Sequence, residues 1–302
     1  MAPEVLVGQE AVDDLLEVLD LEQIDSDLFR GREAAKAGTQ RAFGGQVAGQ
    51  ALIAAGRTVA PGRNVHSLHG YFVRPGDSER PIVYEVENIR DGRSFSVRRT
   101  VAKQRGKTIF FMSASFHVGE KGMEHSDPGP LDEVPAPEDV PTLPERLKTH
   151  PERLGIWSRV PRPIDVRYVG TSGFAPRGDR PAENRQRVWM KADGKLPDDP
   201  LIHACVLTYA SDLTLLDTVL NRHGEVWGRG GYLGTSLDHA MWFHKPVRAD
   251  EWILYDSDSP VASHGRGLAQ GSFYDADGGH LATAMQEGLL RRAPDEVPPG
   301  VP

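Results

Sequence analysis

The sequence predicts an α+β fold built from two tandem copies of one unit, a helix set against an antiparallel sheet. Three observations carry this. Helical runs are few, strand-like runs are many, and short turn signals separate the strands. The order of elements in the first half returns in the second. Two pairs of segments also match across the halves: "YFVRP" at 71–75 with "WFHKP" at 242–246, and "DGRSFSVR" at 91–98 with "HGRGLAQG" at 264–271.

Taken in order, residues 9–21 place Val12, Leu15, Leu16 and Leu19 at helical spacing, which predicts a short amphipathic helix. "AFGGQVAGQALIAAG" at 42–56 is rich in small residues and free of proline. It predicts a helix that packs very close to a sheet, because glycine and alanine let backbones approach. Strands are expected at 65–73, 81–89, 94–104 and 108–118, separated by "RPGD", "RDGR" and "QRGK". Residues 119–163 change character: Pro128, Pro130, Pro135, Pro137, Pro141 and Pro144 sit among acidic side chains. They read as a linker or as a segment draped over a surface. The second half opens with strands at 164–169 and 185–193. A helix follows, with Asp199 as its cap and Pro200 in its first turn. "LDHAMWFHKP", "EWILYDSDS", "GRGLAQGSFYDA" and "HLATAMQEGLL" are the closing strands. The expected plan is therefore a first copy at 9–118, a linker at 119–163, a second copy at 164–292 and a tail at 293–302.

Composition narrows the function. The chain has 302 residues, 39% hydrophobic and 26% charged, with a net charge of −8 and no long basic run. That argues against nucleic acid as the main partner. A single cysteine, Cys205, rules out an internal disulfide and favours a reducing compartment. The acidic N-terminus does not read as a secretory signal, and no apolar run approaches the ~18 residues of a membrane span.

The stretch "SLDHAMWFHKP" at 236–246 crowds Ser236, Asp238, His239 and His244 together. On a regular strand, Ser236, Asp238, Ala240, Trp242 and His244 share one face, and Leu237, His239, Met241 and Phe243 share the other. His239 then sits in an apolar row as a core histidine, and Asp238 and His239 make a poor catalytic dyad. His66/His69 and His239/His244 fall on opposite faces of their strands, which makes metal ligation improbable. No "GxSxG" elbow, Walker motif or dinucleotide fingerprint is present. In the helix near 200–213, Leu201, Cys205, Thr208 and Asp212 form one stripe, so a buriable stripe ends in a carboxylate. Asp212 either solvates the helix end or serves the chemistry, and a carboxylate at a helix C-terminus is electrostatically disfavoured. In the last strand, Gln286 stands among Ala282, Ala284 and Gly288. Small neighbours leave room for a ligand or a helix, though a glutamine bonding an edge backbone group fits the pattern too.

With these motifs in place, the sequence resembles the acyl-CoA thioesterase II family over about residues 9–292. "FGGQVAGQAL", "HSLHGYFVRPGD", "DGRSFSVRR", "YASDL", "LDHAMWFHKP" and "ATAMQEGLLR" carry the resemblance, in that order. It implies a double hotdog, two tandem copies of a long helix wrapped by an antiparallel sheet. It also implies hydrolysis of fatty acyl-CoA through a water held by an Asp, a Thr and a Gln. The Asp of the "YASD" motif is Asp212 here, and the Gln of the "QEG" motif is Gln286. The Thr position, two residues before the "DH" pair, holds Ser236. This departure keeps the hydroxyl; strand parity turns the neighbouring Thr235 away. Asp212 would be the general base.

The first copy's helix has no carboxylate between Phe43 and Leu52, so one active site per chain is expected. Acyl-CoA is the expected partner, with no cofactor, in a homo-oligomer. The C-terminal "PPGVP" is no peroxisomal address, which favours a cytoplasmic location. Two alternatives stay open: a non-catalytic acyl-CoA binding or sensing protein, and a hotdog enoyl-CoA hydratase using an Asp/His pair, for which His203 is the helix candidate.

Overall fold

The computed structural model describes residues 5–32, 41–175 and 182–294. The amphipathic start folds as α1 (Gly8–Leu19), which buries Ala11, Val12, Leu15 and Leu19. A short hairpin follows, β1 (Glu22–Asp25) and β2 (Leu28–Gly31). Sequence pattern did not reveal it, because all four β1 side chains are exposed and no alternation marks the strand. The small-residue run forms α2 (Gly44–Arg57). The strands β3 (Asn64–Phe72), β4 (Ile82–Asp91), β5 (Phe95–Gln104) and β6 (Lys107–His117) lie within one or two residues of their expected bounds.

The second copy contains β7 (Ile164–Tyr168), β8 (Arg185–Ala192), α4 (Pro200–Ser211), the short α5 (Asp217–Asn221), β9 (Tyr232–Ser236), β10 (Asp238–Phe243), β11 (Ile253–Ser263), β12 (Arg266–Tyr274) and β13 (His280–Arg292). The Asp199 side chain caps α4 by accepting from the Leu201 N–H at 2.9 Å, with Pro200 at the first helical position.

All the described strands join one antiparallel sheet in the order β1-β2-β4-β5-β6-β3-β10-β13-β12-β11-β8-β7, with β9 also on β13. The order has an internal two-fold about the β3–β10 pair. Moving outward, β6, β5, β4, β2 and β1 on one side answer β13, β12, β11, β8 and β7 on the other. The unforeseen β1–β2 hairpin is thus the first copy's counterpart of β7–β8, and it completes the repeat. The strands that lead into the first pair of matched segments meet at the junction: β3 and β10 pair antiparallel, with Tyr71 opposite Asp238 and Ser67 opposite Trp242, so the two segments lie at opposite ends of the pair.

Small residues in α2 were expected to bring that helix close to a sheet. It does pack on the sheet, over β4, β5 and β6, and three of its glycines bring it against α4 as well. A Cβ on Gly45 would lie 2.5 Å from the Tyr209 carbonyl oxygen, one on Gly49 would lie 3.3 Å from the Cys205 carbonyl oxygen, and one on Gly56 would meet Leu201 at 2.5 Å. These three contacts run up α2 and down α4, so the helices are antiparallel, as the two-fold requires. Both are enclosed by the sheet, with Leu52, Ile53, Cys205 and Val206 essentially buried.

The "DGRSFSVR" motif is structural. Arg98 is 1% exposed and donates to Asp91, to Asn88 and to both the hydroxyl and the carbonyl of Thr58, tying the end of α2 to the β4–β5 hairpin. Hydrogen bonds from Ser96, Asn88 and Arg98 hold the Asp91 carboxyl down at about 2.

The proline-rich segment is draped rather than free. The Trp189 indole donates to the Pro135 carbonyl at 3.0 Å, and Arg167 donates to the Pro137 carbonyl at 2.8 Å. Val140 packs with Trp189 and Leu254 in a second, smaller apolar cluster on the outer face of the sheet. The segment also forms α3 (Leu143–Arg146), begun by a capping box in which Thr142 and Glu145 bond reciprocally. No described helix is long and apolar enough to cross a membrane. The tail expected at 293–302 lies outside the described residues from 295 onward.

Candidate active site

Asp212 follows the last residue of α4, where it adopts φ −84° and ψ −6°. Its own helix presents it with the negative end of a dipole. The antiparallel packing supplies the compensation. The N-terminus of α2 lies against this carboxylate, and the Gly45 N–H donates to it. Helix N-termini carry unpaired N–H groups and a positive partial charge. Gly44 is required by the close approach: a Cβ there would lie 2.7 Å from Asp212 Oδ2 and 3.1 Å from the Phe72 ring.

The side chains of Ser236 and Gln286 complete the cluster. Gln286 Nε2 donates to Asp212 Oδ1 at 2.5 Å and to Ser236 Oγ at 2.9 Å, and Ser236 Oγ donates to Asp212 Oδ1 at 3.4 Å. The carboxylate oxygen can only accept while ionised, which fixes the amide orientation with nitrogen toward it. Gln286 Oε1 is buried with no hydrogen-bond partner. Thus the three residues singled out in the sequence come together from α4, β9 and β13. Gln286 sits in its expected row of small residues, which faces the helix; Gly288 in that row leaves room only for Leu216 of the turn after α4. Burial pushes the Asp212 carboxyl up to about 6, against the opposing hydrogen bonds from Gln286, Gly45 and Ser236. Such a carboxylate is largely ionised at neutral pH and is a stronger base than an exposed aspartate.

One expectation is corrected here. Regular alternation put Ser236 on the same face as Asp238 and opposite His239. The strand is not regular: β9 ends at Ser236 and β10 begins at Asp238. From Ser236 to Ala240 the chain advances four residues, while its partner retreats only three, from Gly288 to Met285. This one-residue bulge turns Ser236 to the helix-facing side. Thr235 is exposed.

His239 is 1% exposed. Ser211 Oγ donates to the Thr208 carbonyl at 2.8 Å, so the 2.8 Å contact with His239 is a donation from imidazole Nε2–H to Ser211 Oγ. Burial lowers its pKa to about 4, so the ring is neutral at pH 7. Its place is in the packing behind Ser211. The His239→Gln variant is expected to lose about 1–3 kcal/mol of stability while its turnover falls less than tenfold. A melting curve and a turnover number on the same preparation check this, and a stable variant slowed a hundredfold would return the histidine to the chemistry.

The hydratase alternative needs an acid–histidine pair. His203 sits in the first turn of α4, at the opposite end from Asp212, and its Nδ1 accepts from the Ala249 N–H at 3.0 Å. Nine residues at about 1.5 Å each separate the two along the helix, so they form no pair. A cavity of about 380 Å³ lies beside the end of α4, between Tyr209 and Leu213, the strand β7 and Leu143 of the proline-rich segment.

Sequence reasoning missed Gly44 and Gly45. The only signal was the paired glycine at the start of a helix, which marks N–H groups open to an anion but not which anion.

The chain was compared with known proteins. Residues 171–289 match the family model described as acyl-CoA thioesterase, and residues 33–117 match that of the acyl-CoA thioesterase N-terminal domain. Acyl-coenzyme A thioesterase 8 of Homo sapiens is 41% identical, covering 92% of this chain and 88% of the human protein. Acyl-CoA thioesterase 2 of Haemophilus influenzae is 40% identical, over 93% of this chain and 98% of that one. Among solved structures, the acyl-CoA thioesterase II of Mycobacterium marinum superposes with a TM-score of 0.75 at 42% identity, covering 93% of this chain and all of the other.

Proposed function

The chain belongs to the acyl-CoA thioesterase family, and from that premise we propose that it hydrolyses fatty acyl-CoA with Asp212 as general base and Ser236 and Gln286 as partners in holding the water. One observation carries this assignment: a carboxylate with a pKa of about 6 held simultaneously by a serine, a glutamine and a helix N-terminus. Asp212 takes a proton from the water as its oxygen attacks the thioester carbonyl. The tetrahedral intermediate then collapses, the C–S bond breaks and the proton passes to the departing thiolate. First-turn N–H groups of α2, which begins beside Asp212, are assigned to the oxyanion; one such donor is typically worth ~10²–10³ in rate. Gln286 acts through Nε2, which holds Asp212 Oδ1 and Ser236 Oγ in place for the water.

In this reading the first copy, 9–118, contributes the α2 N-terminus and the second, 164–292, contributes the acid, hydroxyl and amide. The site is single because α2 ends in Arg57 and Thr58 where α4 ends in the acid Asp212. The test is a thiol-release screen over acyl-CoAs of increasing chain length. Release that is saturable and abolished by Asp212→Asn supports hydrolysis; tight binding without release would favour the sensing alternative.

Ser236→Ala is expected to lower kcat by tenfold or more, because the hydroxyl bridges Gln286 and Asp212. Ser236→Thr should retain or raise activity, since the added methyl restricts χ1. Steady-state kinetics on the two variants check this, and a fully active alanine variant would remove the hydroxyl from the mechanism.

A further inference from the structure

We propose that Asp238 is the positioning residue for Ser236: its carboxylate locks the bulge that turns the serine inward. The proposal rests on the functional reading of Ser236 and goes one step behind it. At the β9–β10 junction the Leu237 N–H donates to the Glu287 carbonyl at 2.9 Å, as a ladder residue would. Its carbonyl does not return the bond to β13. It points to the other side of the strand and accepts from the Phe72 N–H at 2.9 Å. The backbone N–H of Glu287 is thereby left without a strand partner, in the middle of a sheet and next to Gln286. Asp238 Oδ1 accepts it at 2.7 Å.

The side chain of Asp238 thus does the work of the missing backbone acceptor. An unsatisfied N–H at such a position is costly. With Asp238 in place the bulged register is satisfied throughout. Without it, the strand regains its ladder bond by removing the extra residue. A one-residue slip reverses the facing of every side chain it moves. Ser236 would leave Asp212 and Gln286, and exposed Thr235 would take its place in the alternation. Asp238 itself points away from the cluster, so it needs no contact with substrate.

The experiment is a double-mutant cycle in the full-length protein, read as kcat and KM for thiol release. Asp238→Ala is expected to lower kcat at least tenfold with KM within about threefold. Asp238→Asn keeps an acceptor oxygen for the Glu287 N–H and should recover most of that loss. The combined Ser236→Ala/Asp238→Ala protein should be no slower than Ser236→Ala alone, since the serine cannot be lost twice. A role confined to stability would instead give additive losses, or would leave kcat unmoved while the melting temperature fell; either result overturns the proposal. Asparagine as slow as alanine overturns it too, because charge rather than acceptance would then matter. If Asp238→Ala does not fold, Asp238→Ser replaces it, its hydroxyl being too short to reach the Glu287 N–H, with the same expectations. The wild-type assay separates this proposal from the functional reading. No thiol release from any acyl-CoA would sink the reading of the enzyme, whereas an active enzyme with an additive cycle sinks only the role of Asp238.

Discussion

Asp212→Asn is expected to reduce turnover by ~10²–10⁴-fold while leaving a folded protein. The amide keeps an oxygen for the Gly45 N–H but cannot take a proton from water. The wild-type pH profile should show the same group: log kcat/KM rises with pH through an acid limb near 6 and flattens above it, because only the ionised carboxylate is a base. That limb should be missing from the residual activity of the variant. Stability follows from the same shift with opposite sign. The folded-state pKa of Asp212 lies above its ordinary value, so between roughly pH 4 and 6 the folded protein holds a proton that the unfolded chain has released. Its contribution to stability is therefore fully present below the unfolded pKa and is lost as pH rises through the folded one. At pH 7.5 the asparagine variant should melt at or above the wild-type temperature, and this difference should shrink toward pH 4. A folded variant with wild-type turnover would remove Asp212 from the mechanism. An acid limb near 4 would show that burial does not raise the carboxyl in solution.

Gly44→Ala is expected to lower kcat by about a hundredfold, the scale on which a 1 Å misplacement costs catalysis. The new methyl would overlap Asp212 Oδ2 at 2.7 Å and crowd Phe72 at 3.1 Å. The carboxylate is the movable partner, and it moves away from Gln286, Ser236 and the Gly45 N–H. Alanine suits a helix better than glycine by about 0.5–1 kcal/mol, so the melting temperature should fall little. Gly45→Ala is the contrasting control. Its methyl would meet the backbone oxygen of Tyr209 at 2.5 Å, which a side-chain rotation cannot relieve. That variant should lose stability first, through separation of the two helices. Kinetics and melting curves on both glycines check the pair. Equal, full activity in Gly44→Ala would show that the α2 N-terminus is not part of the site.

The double architecture was legible because it repeats. Turn spacing and matched segments report on each copy separately, and their recurrence needs no knowledge of how the copies pack. Asp212 and Gln286 were legible for a related reason: each breaks the pattern of its own element, a carboxylate ending an apolar helical stripe and an amide in a row of small strand residues. Ser236 was named by resemblance, and periodicity assigned it a facing that the bulge reverses. Alternation describes an unbroken strand, and the extra residue at Leu237 exists only because that residue divides its two backbone bonds between β13 and β3. Such a division depends on both neighbours and leaves no local mark. The β1–β2 hairpin went unseen because the exposed β1 carries no apolar alternation; β2 packs into the sheet by pairing with β4. The glycines of α2 were read as allowing close approach, correctly in kind, but the sequence could not say that the neighbour is α4. Only the antiparallel crossing of two helices from distant parts of the chain brings the Gly45 N–H to Asp212, and it answers why a carboxylate stands at the unfavourable end of its own helix. The sequence determined the repeat, the elements and the chemical groups, all properties of one element at a time. Tertiary structure decided which way the serine faces and which dipole meets the acid, because both depend on pairings between segments far apart in the chain.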